Sequence, residues 1–181
     1  REKVTEATKE NPFWIHFGAG NIFRAFPAAL QQKLLNEGIE KTGIIVAEGY
    51  DYEIIKKAYR PQDDLSLLVT LKANGTIEKT VIGSLAESLT VDRHDAADWN
   101  RLKEIFASNT LQMVSFTITE KGYSITSPDG AFRADVKADF EAGPENADSY
   151  IGKLAALCYW RYTNGAAPLA LVSMDNCSHN G

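Results

Sequence analysis

Two glycines one residue apart, in Gly18-Ala19-Gly20-Asn21, follow the aromatic run Phe13-Trp14-Ile15-His16-Phe17 and precede a stretch whose apolar residues switch to helical spacing. Between a strand and a helix this pattern has a definite chemistry. The first glycine permits a tight turn, and the second lets the backbone approach a pyrophosphate whose charge is met by N–H groups at the helix start. Ala19, Asn21, Ile22, Phe23 and Arg24 complete such a seat. The third glycine of the usual pattern would fall at position 23, where the chain has Phe23. That substitution predicts a wider helix approach or a different turn. The competing reading is a βα turn that holds no ligand.

A dinucleotide seat also needs an acceptor for the adenosine ribose at the end of the next strand. Glu48 directly follows Ala47, and Asp51 lies three residues on. A carboxylate there accepts from the 2′-hydroxyl and repels a 2′-phosphate, and no arginine intervenes before Arg60, so the expected cofactor is NAD rather than NADP. Glu48 is the better placed at the strand tip, and Asp51 has the alternative role of capping the helix that follows. A further polar group, Thr117, Thr119, Glu120, Lys121, Gly122 and Tyr123, closes a later strand, where ligands of open α/β sheets lie. Its competing reading is a solvated turn. The last eight residues, Met174-Asp175-Asn176-Cys177-Ser178-His179-Asn180-Gly181, offer asparagine amides that can donate to a developing alkoxide. Cys177 and His179 form a C-x-H pair without a distant partner pair, which is poor zinc spacing, so no metal is expected.

These residues need elements to hold them. Residues 1–11 read as a polar arm or short helix, and 13–17 as a buried strand. Ile22, Phe26, Ala29, Leu30, Leu34 and Leu35 predict one helix closing at Asn36 to Gly38, with Pro27 near its first turn. Gly43 to Ala47 is a second buried strand, followed by a weaker helix over Tyr52 to Tyr59. Strand, glycine turn, helix and strand form a βαβ unit with parallel strands. From Leu65 to Val91 the pattern is β-rich, with 65–72 and 76–82 flanking Asn74-Gly75, a strong hairpin signal. Asp95 predicts an N-cap for a helix through Ala107, and Leu111 to Thr119 a buried strand. Gly143-Pro144 breaks the chain before a helix over Ser149 to Tyr162, and Pro168 to Met174 is a last strand. Trp14, Trp99 and Trp160 fall on core faces, and Cys158 on the apolar side of its helix. The fold expected is α/β, an open, mostly parallel, Rossmann-like sheet with an inserted hairpin region.

Composition excludes several function classes. The chain has 181 residues, 44% of them apolar and 24% charged, which is ordinary globular usage. Lys and Arg number 19 against 24 Asp and Glu, a net charge of −5, with no basic stripe to neutralise nucleic acid. Two cysteines give no disulfide framework and fit a reducing, cytoplasmic setting. No apolar run approaches the ~20 residues of a membrane helix. The chain starts at Arg1 without Met and stops at Gly181, seven residues past Met174, where another helix is expected. We therefore expect residues 1–181 to be one domain whose partner domain is absent.

Three motifs taken together carry a resemblance. Phe17-Gly18-Ala19-Gly20-Asn21-Ile22-Phe23-Arg24-Ala25-Phe26, Ser115-Phe116-Thr117-Ile118-Thr119-Glu120-Lys121-Gly122-Tyr123, and Ser173-Met174-Asp175-Asn176 with its Asn180-Gly181 ending resemble the mannitol dehydrogenase family from about Trp14 to Gly181. These are polyol-specific long-chain dehydrogenases and hexuronate reductases. The resemblance implies an N-terminal Rossmann-like domain whose substrate is a sugar acid or polyol. A second, mostly helical domain would supply the catalytic lysine, assisted by Asn and His. It makes Gly18 and Gly20 the pyrophosphate seat and Glu48 the ribose ligand. Asn176 or Asn180 would polarise the reacting oxygen. The glycine turn and the chain ending are most similar to the branch acting on mannonate and fructuronate, whereas Phe23 departs from the mannitol-phosphate branch. A domain that senses NAD without chemistry, or an α/β interaction module with an empty turn, are the rivals from other classes.

Overall fold

In a computed structural model that describes residues 1–165 and 167–177, the alternating signals become a five-stranded sheet with helices on both faces. Helix α1 (Glu2–Glu10) precedes β1 (Trp14–Phe17), α2 (Asn21–Ala25), α3 (Pro27–Asn36) and β2 (Ile44–Glu48). A short α4 (Tyr52–Ile54) runs on as a π-helical turn over Ile55–Tyr59 and a tight turn over Arg60–Gln62. The hairpin β3 (Ser66–Leu71) and β4 (Ile77–Ile82) follows, then β5 (Leu85–Thr90) and α5 (Ala96–Ala107). Beyond β6 (Met113–Phe116) come α6 (Thr119–Tyr123), α7 (Ala134–Ala142), α8 (Tyr150–Thr163) and β7 (Ala170–Ser173).

The sheet order is β5-β2-β1-β6-β7, and every pair is parallel. The chain builds outward from β1 through β2 to β5, then returns to lay β6 and β7 on the other side of β1. The direction of travel reverses between β1 and β6, which opens a crevice at the carboxyl ends of those strands. Pairing of Ile15 with Ile45 and with Val114 levels the strands so that β1, β2 and β6 end together.

Side-chain alternation divides the core. Ile15 and Phe17 of β1, with Ile45 and Ala47 of β2, face α5 and α8 in one apolar cluster that includes Leu102, Phe106 and Leu157. Ile44 and Val46 face the other way, against Phe23, Ala28, Ile55 and Tyr59. Asp95 and Ser149 start α5 and α8 as side-chain caps, accepting from the N–H of Asp98 and Gly152. Cys158 packs against the first cluster, and burial pushes its thiol up. Among the described residues no helix is long and apolar enough to cross a membrane.

Three sequence expectations are corrected. The single helix after the glycine turn is two, broken at Phe26, with Pro27 opening the second where its missing N–H costs nothing. The predicted stripe is not the buried one: Ile22, Phe26 and Leu30 are 60%, 65% and 63% exposed, while Phe23, Ala28 and Gln31 are buried. The inserted hairpin is present as expected, forming its own two-stranded sheet, and β5 joins the main sheet as its parallel edge strand. The strand expected over 111–119 stops at Phe116, because Thr119 enters the left-handed region at φ 64° and opens α6.

Candidate functional site

The glycine turn sits at the mouth of the crevice. Gly18 adopts φ 111°, and a Cβ on it would lie 2.3 Å from the Thr117 carbonyl oxygen, so this glycine lets β1 turn against the end of β6. Gly20 differs. Its conformation suits any residue, and a Cβ there would meet nothing within 4 Å, so its face is open toward the crevice. It precedes α2, whose first N–H groups have no acceptor within the helix.

Ala19, between the two glycines, is fixed at both ends. Its N–H donates to Glu48 Oε2 at 2.8 Å, and its carbonyl accepts from the Tyr59 hydroxyl at 2.7 Å. Glu48 Oε1 also accepts from the N–H of Tyr50 at 2.8 Å and of Asp51 at 3.3 Å. The buried carboxylate thus staples the turn after β1 to the loop after β2 with charge-assisted bonds. Three of its acceptor positions are spent on backbone. Asp51 stands at the start of α4, exposed, and its carboxylate neither caps the helix nor accepts a hydrogen bond from any described residue. Of the two acids read from the sequence, Glu48 already serves the backbone, and Asp51 has a carboxylate without a partner among the described residues. Arg60 forks onto Asp98, both bonds 2.7 Å, and offers nothing to this loop.

Phe23 at the third-glycine position is fully buried and stacks on His16 of β1, ring centroids 4.3 Å apart and 11° from parallel. Arg24 donates to Asn21 Oδ1 at 2.6 Å and lies 5.7 Å from the Tyr59 ring. Arg24 Nε and the Tyr150 hydroxyl are buried side-chain polar atoms without a partner among the described residues. Both border the crevice: Arg24 sits on the first turn of α2, and Tyr150 stacks on Tyr50 at 4.8 Å within the field of Glu48 and Asp175.

The far wall is built around Asp175, just past β7. Its Oδ2 accepts from the N–H of Ile118 at 2.8 Å and from the Tyr123 hydroxyl at 2.7 Å, and its Oδ1 from the N–H of Thr119 at 3.1 Å. The carboxylate holds Thr119, a β-branched residue, in a backbone conformation that costs about 1–3 kcal/mol. Thr119 and Glu120 are exposed at this edge, as is Asn176. Asn180, the other candidate oxygen-polarising residue, lies outside the described residues, as do Ser178, His179 and Gly181. Sequence reading did not single out His16 or Tyr59. Both sit in ordinary strand and helix patterns, and only long-range pairing reveals them.

A doubly wound parallel sheet with a glycine turn and carboxylate staple at its switch point defines a Rossmann-type α/β domain. Comparison with known proteins makes the assignment specific. Residues 13–181 match the model of the mannitol dehydrogenase Rossmann domain, and the chain belongs to the mannitol dehydrogenase family. It is 49% identical over 180 residues to a D-mannonate oxidoreductase of Thermotoga maritima, covering 99% of this chain and 33% of the relative. It is 31% identical to a polyol:NADP oxidoreductase of Gluconobacter oxydans, covering 94% of this chain and 35% of that protein. The Pseudomonas fluorescens mannitol 2-dehydrogenase, solved as a ternary complex with NAD and D-mannitol, superposes with a TM-score of 0.75 at 29% identity over 92% of this chain and 34% of that one. The chain thus spans about a third of the length of the relatives it matches.

Proposed function

We propose that this chain is the cofactor-binding part of an NAD-dependent oxidoreductase that moves hydride between nicotinamide and a secondary alcohol or its ketone. The observation that carries the reading is the open glycine turn at the sheet's switch point, held at Ala19 from both ends. The donor set suits a dinucleotide: backbone N–H groups and Arg24 for a pyrophosphate, and Asp51 for ribose hydroxyls. Gly18, Gly20, Asn21, Ile22 and Phe23 shape the seat, and Glu48 keeps it in place. Thr119 and Glu120 border its nicotinamide side. Bound nicotinamide supplies or accepts the hydride at C4.

The substrate we assign is a sugar acid, D-mannonate or D-fructuronate, supported by the 49% identity to the Thermotoga maritima protein. A polyol such as mannitol is the second reading, favoured by the structural likeness to the Pseudomonas fluorescens enzyme. Mannitol phosphate ranks below both, because Phe23 departs from the glycine that the mannitol-phosphate branch tends to have there. Asn176, or Asn180 beyond it, would donate to the reacting oxygen. A second, helical domain would bring the lysine, Asn and His that move the proton. The unpaired cysteines fit a cytoplasmic setting.

Titration of NADH and NADPH into the chain, followed by nicotinamide fluorescence, tests the cofactor reading. Saturable binding selective for NADH is expected. Selectivity for NADPH would overturn the role given to Asp51, and indifference to both would overturn the dinucleotide reading.

A further inference from the structure

Strand β1 carries a fully buried histidine among apolar neighbours, and the assignments above give it no task. His16 Nδ1 lies 2.7 Å from Ser115 Oγ, and Nε2 lies 2.8 Å from Thr117 Oγ1, so both ring nitrogens meet β6. Which nitrogen carries the proton follows from Trp14. Its Nε1–H, which can only donate, reaches the same Ser115 oxygen at 2.6 Å. Ser115 is itself fully buried, and no other described group accepts its proton. Leaving that proton unpaired costs about 1–3 kcal/mol, so it goes to Nδ1, and the ring's own proton sits on Nε2. Thr117 therefore accepts from His16, and its own hydroxyl proton has no acceptor among the described residues.

That proton is at the site. Thr117 is half-buried at the carboxyl end of β6, and a Cβ on Gly18 would lie 3.0 Å from its Oγ1. The imidazole plane is set by Phe23 stacked on its face, which gives the residue at the third-glycine position a purpose. Burial drives the ring's protonation down to about 3 against the opposing pull of Asp175, so the neutral arrangement persists through the physiological range.

We infer that His16 is a positioning residue whose Nε2–H fixes the Thr117 hydroxyl as a donor to an oxygen on the pyrophosphate–ribose stretch of the dinucleotide. The inference rests on the dinucleotide reading and adds to it a donor on β6 and the residue that aims it. A glutamine at 16 can place an amide near Nε2 and keep the link to Thr117. An asparagine reaches only the Nδ1 position and keeps the link to Ser115. A role confined to filling the core ranks asparagine at least level with glutamine, and a role through Thr117 ranks them the other way.

The test is the affinity of NADH, ADP-ribose and AMP for the chain and its variants, with melting temperature recorded for each. Thr117→Val and His16→Asn are each expected to weaken NADH and ADP-ribose about tenfold, the worth of one hydrogen bond. AMP, which lacks the pyrophosphate bridge, is expected to bind unchanged. His16→Gln should stay within about threefold of wild type, and adding His16→Asn to Thr117→Val should cost little more than Thr117→Val alone. Wild-type affinity in folded His16→Asn, or full additivity in the double variant, overturns the inference while leaving the dinucleotide reading intact. Failure of the wild-type chain to bind NADH overturns both. Long-range nitrogen–proton NMR on the unliganded protein is a check independent of variant folding: the Nε2–H tautomer is expected, and Nδ1–H would contradict the geometry.

Discussion

The two carboxylates that bracket the crevice, Glu48 at the end of β2 and Asp175 just past β7, use the same device on different backbones. Each accepts from main-chain N–H groups and ties two strand ends together, Glu48 from Ala19 of the neighbouring turn and from Tyr50 and Asp51 of its own loop, Asp175 from Ile118 and Thr119 of the neighbouring loop. Glu48 is buried, and the turn it holds is one that glycine adopts without strain. Asp175 is half-exposed, and the loop it holds includes Thr119 in a left-handed conformation. The β1–β2 side is thus held by buried backbone bonds that need no ligand. The β6–β7 side stores strain and presents Asn176, Thr119 and Glu120 outward. The half of the site that we propose for pyrophosphate and adenosine is the one held by buried backbone bonds, whereas the proposed reacting half is edged by exposed residues.

The contrast can be broken first at the glycines. Gly18→Ala meets both a backbone oxygen and an unfavourable φ, and we expect a stability loss of about 3 kcal/mol, or roughly 6–12 °C in melting temperature. A thermal melt within two degrees of wild type would mean the turn is not built as described. The staples come next. Glu48→Gln places an amide NH2 against backbone donors in a buried setting, and an expected loss of about 2–3 kcal/mol should exceed the roughly 1 kcal/mol of Asp175→Asn. Equal losses in urea unfolding would erase the difference between the two walls.

Acid titration sharpens the comparison at the strand between them. The His16 pKa is lowered from 6.5 to about 3 by burial. Between these values the unfolded chain binds the extra proton, so stability rises with pH through this window and is fully present above it. His16→Phe should remove up to about 1.4 kcal/mol per pH unit from that slope, measured by urea midpoints from pH 4 to 7. An unchanged slope would place the ring in solvent. The smallest effect is predicted on the outer face of α3. Leu30→Ser should change stability by no more than about 0.5 kcal/mol, and a loss above 2 kcal/mol would restore the apolar stripe read from the sequence.

That stripe shows what the sequence could and could not convey. The βαβ unit, the hairpin at Asn74-Gly75, the cap at Asp95 and the helix start at Ser149 are local, since turn chemistry and a change of period announce them. The same spacing rule failed over 22–35, because it does not say which face of a helix is buried and the break at Phe26 resets the face. The glycine turn was legible as a motif. Its supports were not: His16 meets Ser115 99 residues away and Thr117 101 away, Tyr59 reaches Ala19 across 40, and Asp175 reaches Ile118 across 57. Glu48 was legible as a carboxylate at the strand tip, but a carboxylate there can serve a ribose or the protein's own amides. Only the geometry shows the amides engaged.

The most direct test of the account is NADH titration of the wild-type chain beside Gly20→Asp, each with its melting temperature. Because the Gly20 face is open, the variant should fold and melt as wild type does. A carboxylate facing the pyrophosphate should nonetheless weaken NADH by about a hundredfold or more. Saturable NADH binding lost in a variant of unchanged melting temperature is the predicted result. Equal affinity in the two proteins would contradict the claim that this turn is the cofactor seat.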